Sequence, residues 1–356
     1  RRQNRMEEIF LTIFFISVLL FFLGSGIWVA LSMIGVSAIG MMLFTSRPVG
    51  DAMATTIWGT SSSWTLTALP LFVWMGEILF RTKLSENLFR GLSPWMQKLP
   101  GGLIHVNVVG CALFAAISGS SAATVATVGK MSIPELRKRN YPEKILLGSL
   151  AGSGTLGLLI PPSIILIIYG VAVQESIAKL FIAGIIPGIM IALIFMSYVI
   201  IWSLINKKDM PKIIEEYSFF EKIKRSKQLL PVIILISAVI GSIYTGIATA
   251  TEAASLGVVG ALILSYFQRS LSLSTFKSSL LGATKTSCMI AFILAGSTFL
   301  SLAMGFTGLP RNLAIWIESM NLSPYVLIFV LMIFYIILGM FLDGISAVVL
   351  TMAIIE

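Results

Sequence analysis

The chain has 356 residues, of which 57% are hydrophobic and 12% charged, with a formal net charge of +9. A soluble globular domain carries about 25% charged residues, so this composition excludes one and places the chain in a lipid bilayer. The apolar runs reach the roughly 20 residues a helix needs to cross about 30 Å of hydrocarbon, and none alternates like a barrel strand. The fold class is therefore an all-α polytopic membrane protein.

In chain order, RRQNRMEE at 1–8 reads as a linker or a truncated start and carries no signal-peptide cleavage pattern. Apolar segments follow at 8–23, 27–45 and 65–82. Residues 83–98 are amphipathic and too short to span, so they are expected along the interface with Trp95 as anchor. A helical hairpin is predicted at 103–135, then segments at 143–172, 178–205, 228–245, 250–268 and 278–303. A second interfacial stretch at 308–320, anchored by Trp316, precedes a second hairpin that begins near 325. This organisation gives a first repeat over 9–205, with hairpin 103–135 and broken helix 143–172. A cytoplasmic basic loop follows at 206–227, and a second repeat at 228–356 is truncated within its hairpin.

The positive charge is distributed by topology and does not mark an acidic partner or nucleic acid. Loops 81–100, 135–144, 206–227 and 269–285 hold 18 of the 25 Lys and Arg residues, whereas the opposite loops hold only Arg47, Lys179 and Arg311. The positive-inside rule assigns the first set to the cytoplasm. Both flanks of 103–135 are then cytoplasmic, and the apolar run between them is interrupted by Ser118, Gly119, Ser120 and Ser121. A re-entrant hairpin with its tip at mid-membrane fits this pattern, and non-helical backbone at that depth needs protein or a water-filled cavity around it. The basic N-terminus falls on the outside in this orientation, and an upstream membrane segment would account for it.

The chain also repeats itself. TKLSENL at 82–88 recurs as TGLPRNL at 307–313, each copy is followed by a proline (Pro100, Pro324), and the small polar breaks at Gly119 and Gly344 lie 225 positions apart. Counting crossings from the cytoplasmic hairpin, the second enters from the opposite side, which makes an inverted repeat of the kind used for alternating access.

Two stretches have the residues to bind ions. The tip ISGSSAATVAT (117–127) is paired with GSGTLGLLIPPSI (152–164), where Pro161 and Pro162 lack N–H groups and Gly152, Gly154 and Gly157 weaken the helix. Freed carbonyls and the hydroxyls of Ser118, Ser120, Thr155 and Ser163 are hard oxygen ligands suited to Na⁺, and half-helices restarting after Gly119 and Pro162 present positive dipole ends to an anion. Close helix packing by small residues is the alternative use of such a composition. The second stretch, GMFLDGISAVVLT (339–351), contains Asp343, an acid deep in an apolar segment and so a functional candidate by its cost. Glu77 and Glu252 lie nearer segment ends and are expected to pack or to sit at the interface. The lone His105 and the two cysteines, Cys111 and Cys288, support neither a metal site nor a disulfide framework. No GxSxG, HExxH or Walker pattern occurs, so the chain is not expected to be an enzyme.

Four stretches, FAAISGSSAATVATVGKMSIPEL (114–136), GSLAGSGTLGLLIPPSIILIIYG (148–170), ATEAASLGVVGALI (250–263) and GMFLDGISAVVL (339–350), resemble the large membrane subunit of the tripartite ATP-independent periplasmic (TRAP) transporters. The resemblance implies an elevator-type, Na⁺-coupled importer of an organic acid anion, such as a C4-dicarboxylate or sialic acid, in the bacterial inner membrane. It implies two partners, a small four-helix membrane subunit, sometimes fused upstream, and a periplasmic substrate-binding protein. With the motif reading, it puts substrate at Ser118, Ser120, Ser121, Pro162 and Ser163. One Na⁺ falls among Ser118, Gly119, Ser120, Thr155, Gly157 and Pro161, and a second near Gly339, Asp343 and Gly344. One departure stands out: the second double proline expected of the family would fall beyond Glu356, so the chain is expected to be a fragment that does not transport alone. A binding-protein-independent Na⁺/carboxylate symporter of related fold is the alternative function. An intramembrane enzyme or a scaffold protein explains the two polar tips less well.

Overall fold

A computed structural model gives the fold and describes residues 2–211, 217–340 and 344–355. Among the described residues there are helices and no strands. The helices are α1 (Arg2–Gly24), α2 (Val29–Phe44), α3 (Val49–Ser61), α4 (Ala68–Phe80), α5 (Leu84–Met96), α6 (His105–Ser118), α7 (Ser121–Lys138), α8 (Glu143–Gly154), α9 (Ile164–Ala172) and α10 (Ile177–Ile205). After them come α11 (Phe219–Ser226), α12 (Leu230–Tyr244), α13 (Ala250–Phe267), α14 (Leu273–Thr307), α15 (Leu309–Ser319), α16 (Pro324–Gly339) and α17 (Gly344–Ile355). Helix is what an apolar chain must form in lipid, where every backbone polar group needs a partner within its own segment. The starts are set locally: Ser176 caps α10, Ser323 caps α16, and Thr249 with Glu252 forms a capping box on α13.

The chain is a multi-pass membrane protein. By length and composition α10, α13 and α14 are each able to cross a bilayer alone, and two bent pairs bring the number to five. One pair is α3 with the Trp64–Phe80 segment, and the other joins α11 to α12 at 57°. This is fewer continuous spans than the apolar runs suggest, because Gly, Pro and Ser breaks cut several runs into shorter helices. Val49–Ser61 is helical although the sequence pattern predicts no segment there, and within 206–227, predicted to be a loop, Phe219–Ser226 forms α11.

The residues group into two compact units. The first comprises Arg1–Leu66, Val171–Gln174 and Cys288–Glu356. Its core includes Met41, Phe299 and Ala303, and Gly296 of α14 lets the backbone of α2 approach, since a Cβ there would stand 2.8 Å from the Ala30 carbonyl. Thr60 donates to Thr298 across 3.1 Å, and Ser297 donates to the Val349 carbonyl across 2.6 Å. The Arg47 guanidinium lies 4.3 Å over the Phe306 ring. A cavity of about 420 Å³ opens beside them, lined by Arg47, Asp51, Thr55, Thr56, Leu302 and Phe306 among others, and it contains none of the predicted site residues.

The second unit comprises Thr67–Gly170 and Glu175–Ser287. Here α4 packs along α13, and α6, α7 and α8 pack on one another, with α10 closing against α6 and α8. Phe72 and Phe181 meet edge to face at 5.9 Å between ring centres. This unit holds the hairpin and the broken helix.

Candidate functional site

Helices α6 and α7 form the predicted hairpin. A Cβ on Gly110 would meet Val128 at 3.5 Å, and these residues stand nine positions on either side of Gly119, so the arms run antiparallel from a turn at that glycine. Gly119 has φ +59°, a left-handed conformation that ends α6 and that glycine adopts without a Cβ clash. Ser120 then takes an extended conformation and caps α7, its Oγ accepting from the Ala123 amide at 3.5 Å.

The broken helix ends as the prolines and glycines require. α8 stops at Gly154, a 3-10 turn covers Thr155–Leu158, and α9 restarts at Ile164, with a cis peptide between Pro161 and Pro162. In an unbroken helix the amide at 162 would reach the carbonyl of Leu158, and proline has no amide to give. The buried Ser163 hydroxyl donates to that carbonyl instead. The side chain thus replaces the missing backbone donor, as burial demands.

The two breaks face each other. The Ile164 amide donates to the Gly119 carbonyl at 3.3 Å, which ties the start of α9 to the hairpin tip. A Cβ on Gly119 would lie 2.7 Å from the Pro162 carbonyl oxygen, and one on Gly157 would lie 2.8 Å from the carbonyl of Ser120. The structure therefore brings Ser118, Gly119, Ser120 and Ser121 together with Gly157, Pro162 and Ile164. Within the tip, Ser118 Oγ and Thr124 Oγ1 are 3.0 Å apart, and Thr124 donates to the Ser120 carbonyl at 2.7 Å.

Two predicted residues point elsewhere. Thr155 is exposed, and its hydroxyl donates back to the Gly152 carbonyl at 2.7 Å. The Pro161 ring lies against α10, where a Cβ on Gly184 would be 3.4 Å from its Cγ. Of the second set, Gly339 ends α16 and Gly344 begins α17, while Asp343 lies outside the described residues. Those two helices also fold back on one another, with Tyr335 Oη and Thr351 Oγ1 2.6 Å apart, eight positions on either side of 343.

Residues without a predicted role complete the setting. Thr124, one helical turn beyond Ser120, is fully buried and closes the tip's hydroxyl cluster. Asn107 Nδ2 donates to Ser149 Oγ at 3.0 Å and to the Leu146 carbonyl at 3.2 Å, and Ser153 donates to the Asn107 carbonyl at 3.4 Å, a polar seam that fixes α6 to α8. Gly76 of α4 lets Ser118 approach, since a Cβ there would be 2.9 Å from the Ser118 Cα. Their spacing on one helical face was the available signal for the Asn107 and Ser149/Ser153 seam.

His105 Nε2 is 2.8 Å from the Pro100 carbonyl at the hairpin base, Glu77 pairs with Arg81, and Glu252 accepts from the Thr249 amide at 2.8 Å. Outside the spans, Tyr141 accepts from the Leu103 amide at 3.0 Å, and burial pushes its phenol pKa up. Among the described residues no three His, Cys, Asp or Glu side chains converge. A cation at the tip would rest on neutral hydroxyl and carbonyl oxygens, the ligand chemistry of a hard monovalent ion.

Residues 14–356 match the family described as the tripartite ATP-independent periplasmic transporter, DctM component. The chain belongs to that family. Among its relatives, the C4-dicarboxylate TRAP transporter large permease protein DctM of Pseudomonas aeruginosa is 34% identical over 318 residues, covering 89% of this chain and 73% of that protein. The sialic acid TRAP transporter large permease protein SiaM of Vibrio cholerae is 30% identical, covering 92% of this chain and 76% of that protein. The isethionate TRAP transporter permease protein DctMQ of Oleidesulfovibrio alaskensis is 29% identical, covering 92% of this chain and 52% of that protein. This DctM-family chain is thus similar to transport permeases along almost all of its length, and the docked tip and break lie within the matched region.

Proposed function

We propose that the chain is the membrane permease of a tripartite importer that carries an organic acid anion inward, driven by Na⁺, by an elevator motion. One observation carries the reading: the hairpin tip at Gly119 is docked onto the double-proline break at Pro162, so two stretches of non-helical backbone share one place in an otherwise helical membrane protein. Such backbone is costly in lipid unless it lines a site. Polar oxygens from Ser118, Ser120 and the neighbourhood of Gly157 would hold one Na⁺, and the starts of α7 and α9 would favour a carboxylate beside Ser121 and Ser163. The second Na⁺ would lie between α16 and α17, near Gly339, Asp343 and Gly344.

The inverted relation of the repeats is part of the same proposal. The repeat rests on the order of a short amphipathic helix followed by two helices, which occurs in α5–α7 and again in α15–α17, and its inversion rests on the charge of the loops. A small four-helix subunit in the bacterial inner membrane and a periplasmic binding protein are the proposed partners, and the relative named as the TRAP transporter permease protein DctMQ supports the first. The three relatives' names specify a C4-dicarboxylate, a sialic acid and isethionate, all organic anions.

Reconstitution tests this reading. Proteoliposomes holding the full-length protein with its small subunit should take up a labelled organic acid only with the binding protein and an inward Na⁺ gradient. Ser118→Ala should lower the rate about tenfold, the scale of one lost charge-assisted ligand at roughly 1.5 kcal/mol. Uptake that ignores the binding protein would favour the direct symporter, and uptake indifferent to Na⁺ would remove the ion coupling.

A further inference from the structure

The basic stretch after Tyr217 contains a feature that transport chemistry does not use. α11 exposes Phe219, Phe220 and Ile223 on one contiguous stripe, at 69%, 77% and 41% of their full accessibility. Lys222, Lys224, Arg225 and Lys227 stand on and just beyond the same short helix. Its only acid, Glu221, is engaged in the capping box, accepting from the Ser218 amide at 3.0 Å, so none of the four cations is neutralised within α11.

Position adds to composition. α12 begins at Leu230, shortly after α11 ends at Ser226, and the pair is bent by 57°, so α11 turns out of line with the apolar α12. α11 is also held to α5: Trp95 Nε1 donates to Ser226 Oγ at 2.8 Å, the Trp95 and Phe219 rings meet edge to face at 6.2 Å, and Lys222 Nζ lies 5.4 Å over the Trp95 ring. Tryptophan held beside lysine is the usual composition of the headgroup level. α5 in turn packs on both arms of the hairpin.

We propose that α11 and Trp95 form a binding site for an anionic phospholipid of the cytoplasmic leaflet. Phe219, Phe220 and Ile223 enter the acyl boundary, while Lys222, Lys224, Arg225 and Lys227 hold the headgroup phosphate. Charge complementarity selects lipid over an apolar protein partner, because a basic amphipathic helix beside a membrane span meets a negatively charged leaflet first. By way of α5, an occupied site steadies the base of the hairpin.

Trp95 supplies the readout. The full chain is placed in phosphatidylcholine bilayers containing either dibrominated phosphatidylglycerol or dibrominated phosphatidylcholine, and tryptophan quenching is compared, with Trp95→Phe defining the signal from the other tryptophans. The Trp95 fraction should favour phosphatidylglycerol about fivefold, the scale of one cation near an anionic surface. The preference should fall to parity in Lys222→Gln/Lys224→Gln/Arg225→Gln/Lys227→Gln and in 1 M salt, where the screening length is about 3 Å. Lys224→Glu, a single exposed change that leaves the α5 contact alone, should lower it on its own if the fourfold variant does not fold. Equal quenching by the two lipids in the unaltered chain, or a preference that survives Lys224→Glu undiminished, would overturn the site and leave the α11 face to a soluble partner.

Discussion

Residues 143–170 and 177–205 are apolar stretches of nearly equal length in one unit, both contain proline, and only one of them breaks. α10 runs unbroken for 29 residues through Pro187, whereas α8 and α9 are 12 and 9 residues separated by a 3-10 turn and the cis Pro161–Pro162 bond. A single proline removes one amide and keeps a helical φ, so a helix can continue past it. Two adjacent prolines preceded by Gly152, Gly154 and Gly157 remove two successive donors from a segment that already holds its helix weakly. The broken stretch also has partners that α10 lacks, since Gly119 accepts from Ile164 and Ser163 serves Leu158. α10 shapes itself to the break: a Cβ on Gly184 would stand 2.9 Å from the Leu159 carbonyl, and one on Gly188 2.8 Å from Ile160. Proline is therefore not sufficient to make a site. A break becomes stable where a second element supplies the missing bonds.

The comparison can be broken most severely at the tip. Gly119→Val forces a β-branched residue into a left-handed conformation and drives its Cβ toward the Pro162 carbonyl 2.7 Å away. Left-handed strain of about 1–2 kcal/mol and overpacking of about 1–3 kcal/mol should combine to a loss of about 2–5 kcal/mol. Thermal melting in detergent should show it as a large drop in Tm, with uptake abolished. A variant that melts like the parent would mean that the tip is not docked.

The next effect in size isolates the side-chain substitute for a backbone donor. Ser163→Ala leaves the Leu158 carbonyl without its hydroxyl partner in a buried setting, at a cost of about 1–3 kcal/mol. Ser163→Thr keeps the hydroxyl and should recover most of that stability, which a simple packing role for Ser163 does not require. Equal melting temperatures for the Ala and Thr variants would assign the effect to packing alone.

Much of this was legible in the sequence, because glycine, proline and serine act locally. The tip at Gly119 and the break at Pro161 and Pro162 were readable from composition, and the basic flanks gave the hairpin its two ends. Orientation around the backbone was not readable: Pro161 turns to Gly184, and Thr155 bonds back to the end of α8, because which way a broken segment faces depends on what packs against it. α3 escaped notice because VGDAMATTIWGTS mixes Gly and Thr into its apolar positions and buries none of its residues. α11 is short and charged, although the Ser218 and Glu221 capping box announced its start. Thr124 needed the turn geometry at Ser120 before its hydroxyl had a destination.

The smallest expected effect lies in the unbroken member of the pair. In an aqueous helix interior, proline costs about 3 kcal/mol relative to alanine, so Pro187→Ala should be strongly stabilising if propensity governed α10. The structure argues otherwise. Gly184 and Gly188, one turn apart around Pro187, set the approach of α10 to Leu159 and Ile160, and the proline ring itself is half-buried. Pro187→Ala should therefore shift stability by no more than about 0.5 kcal/mol, the scale of substitutions away from specific structural features, and leave uptake unchanged. A gain approaching the aqueous value would show that α10 carries strain at Pro187 comparable to that of the broken helix. The two stretches would then differ in degree, and the supply of partner bonds would lose its place as the deciding cause.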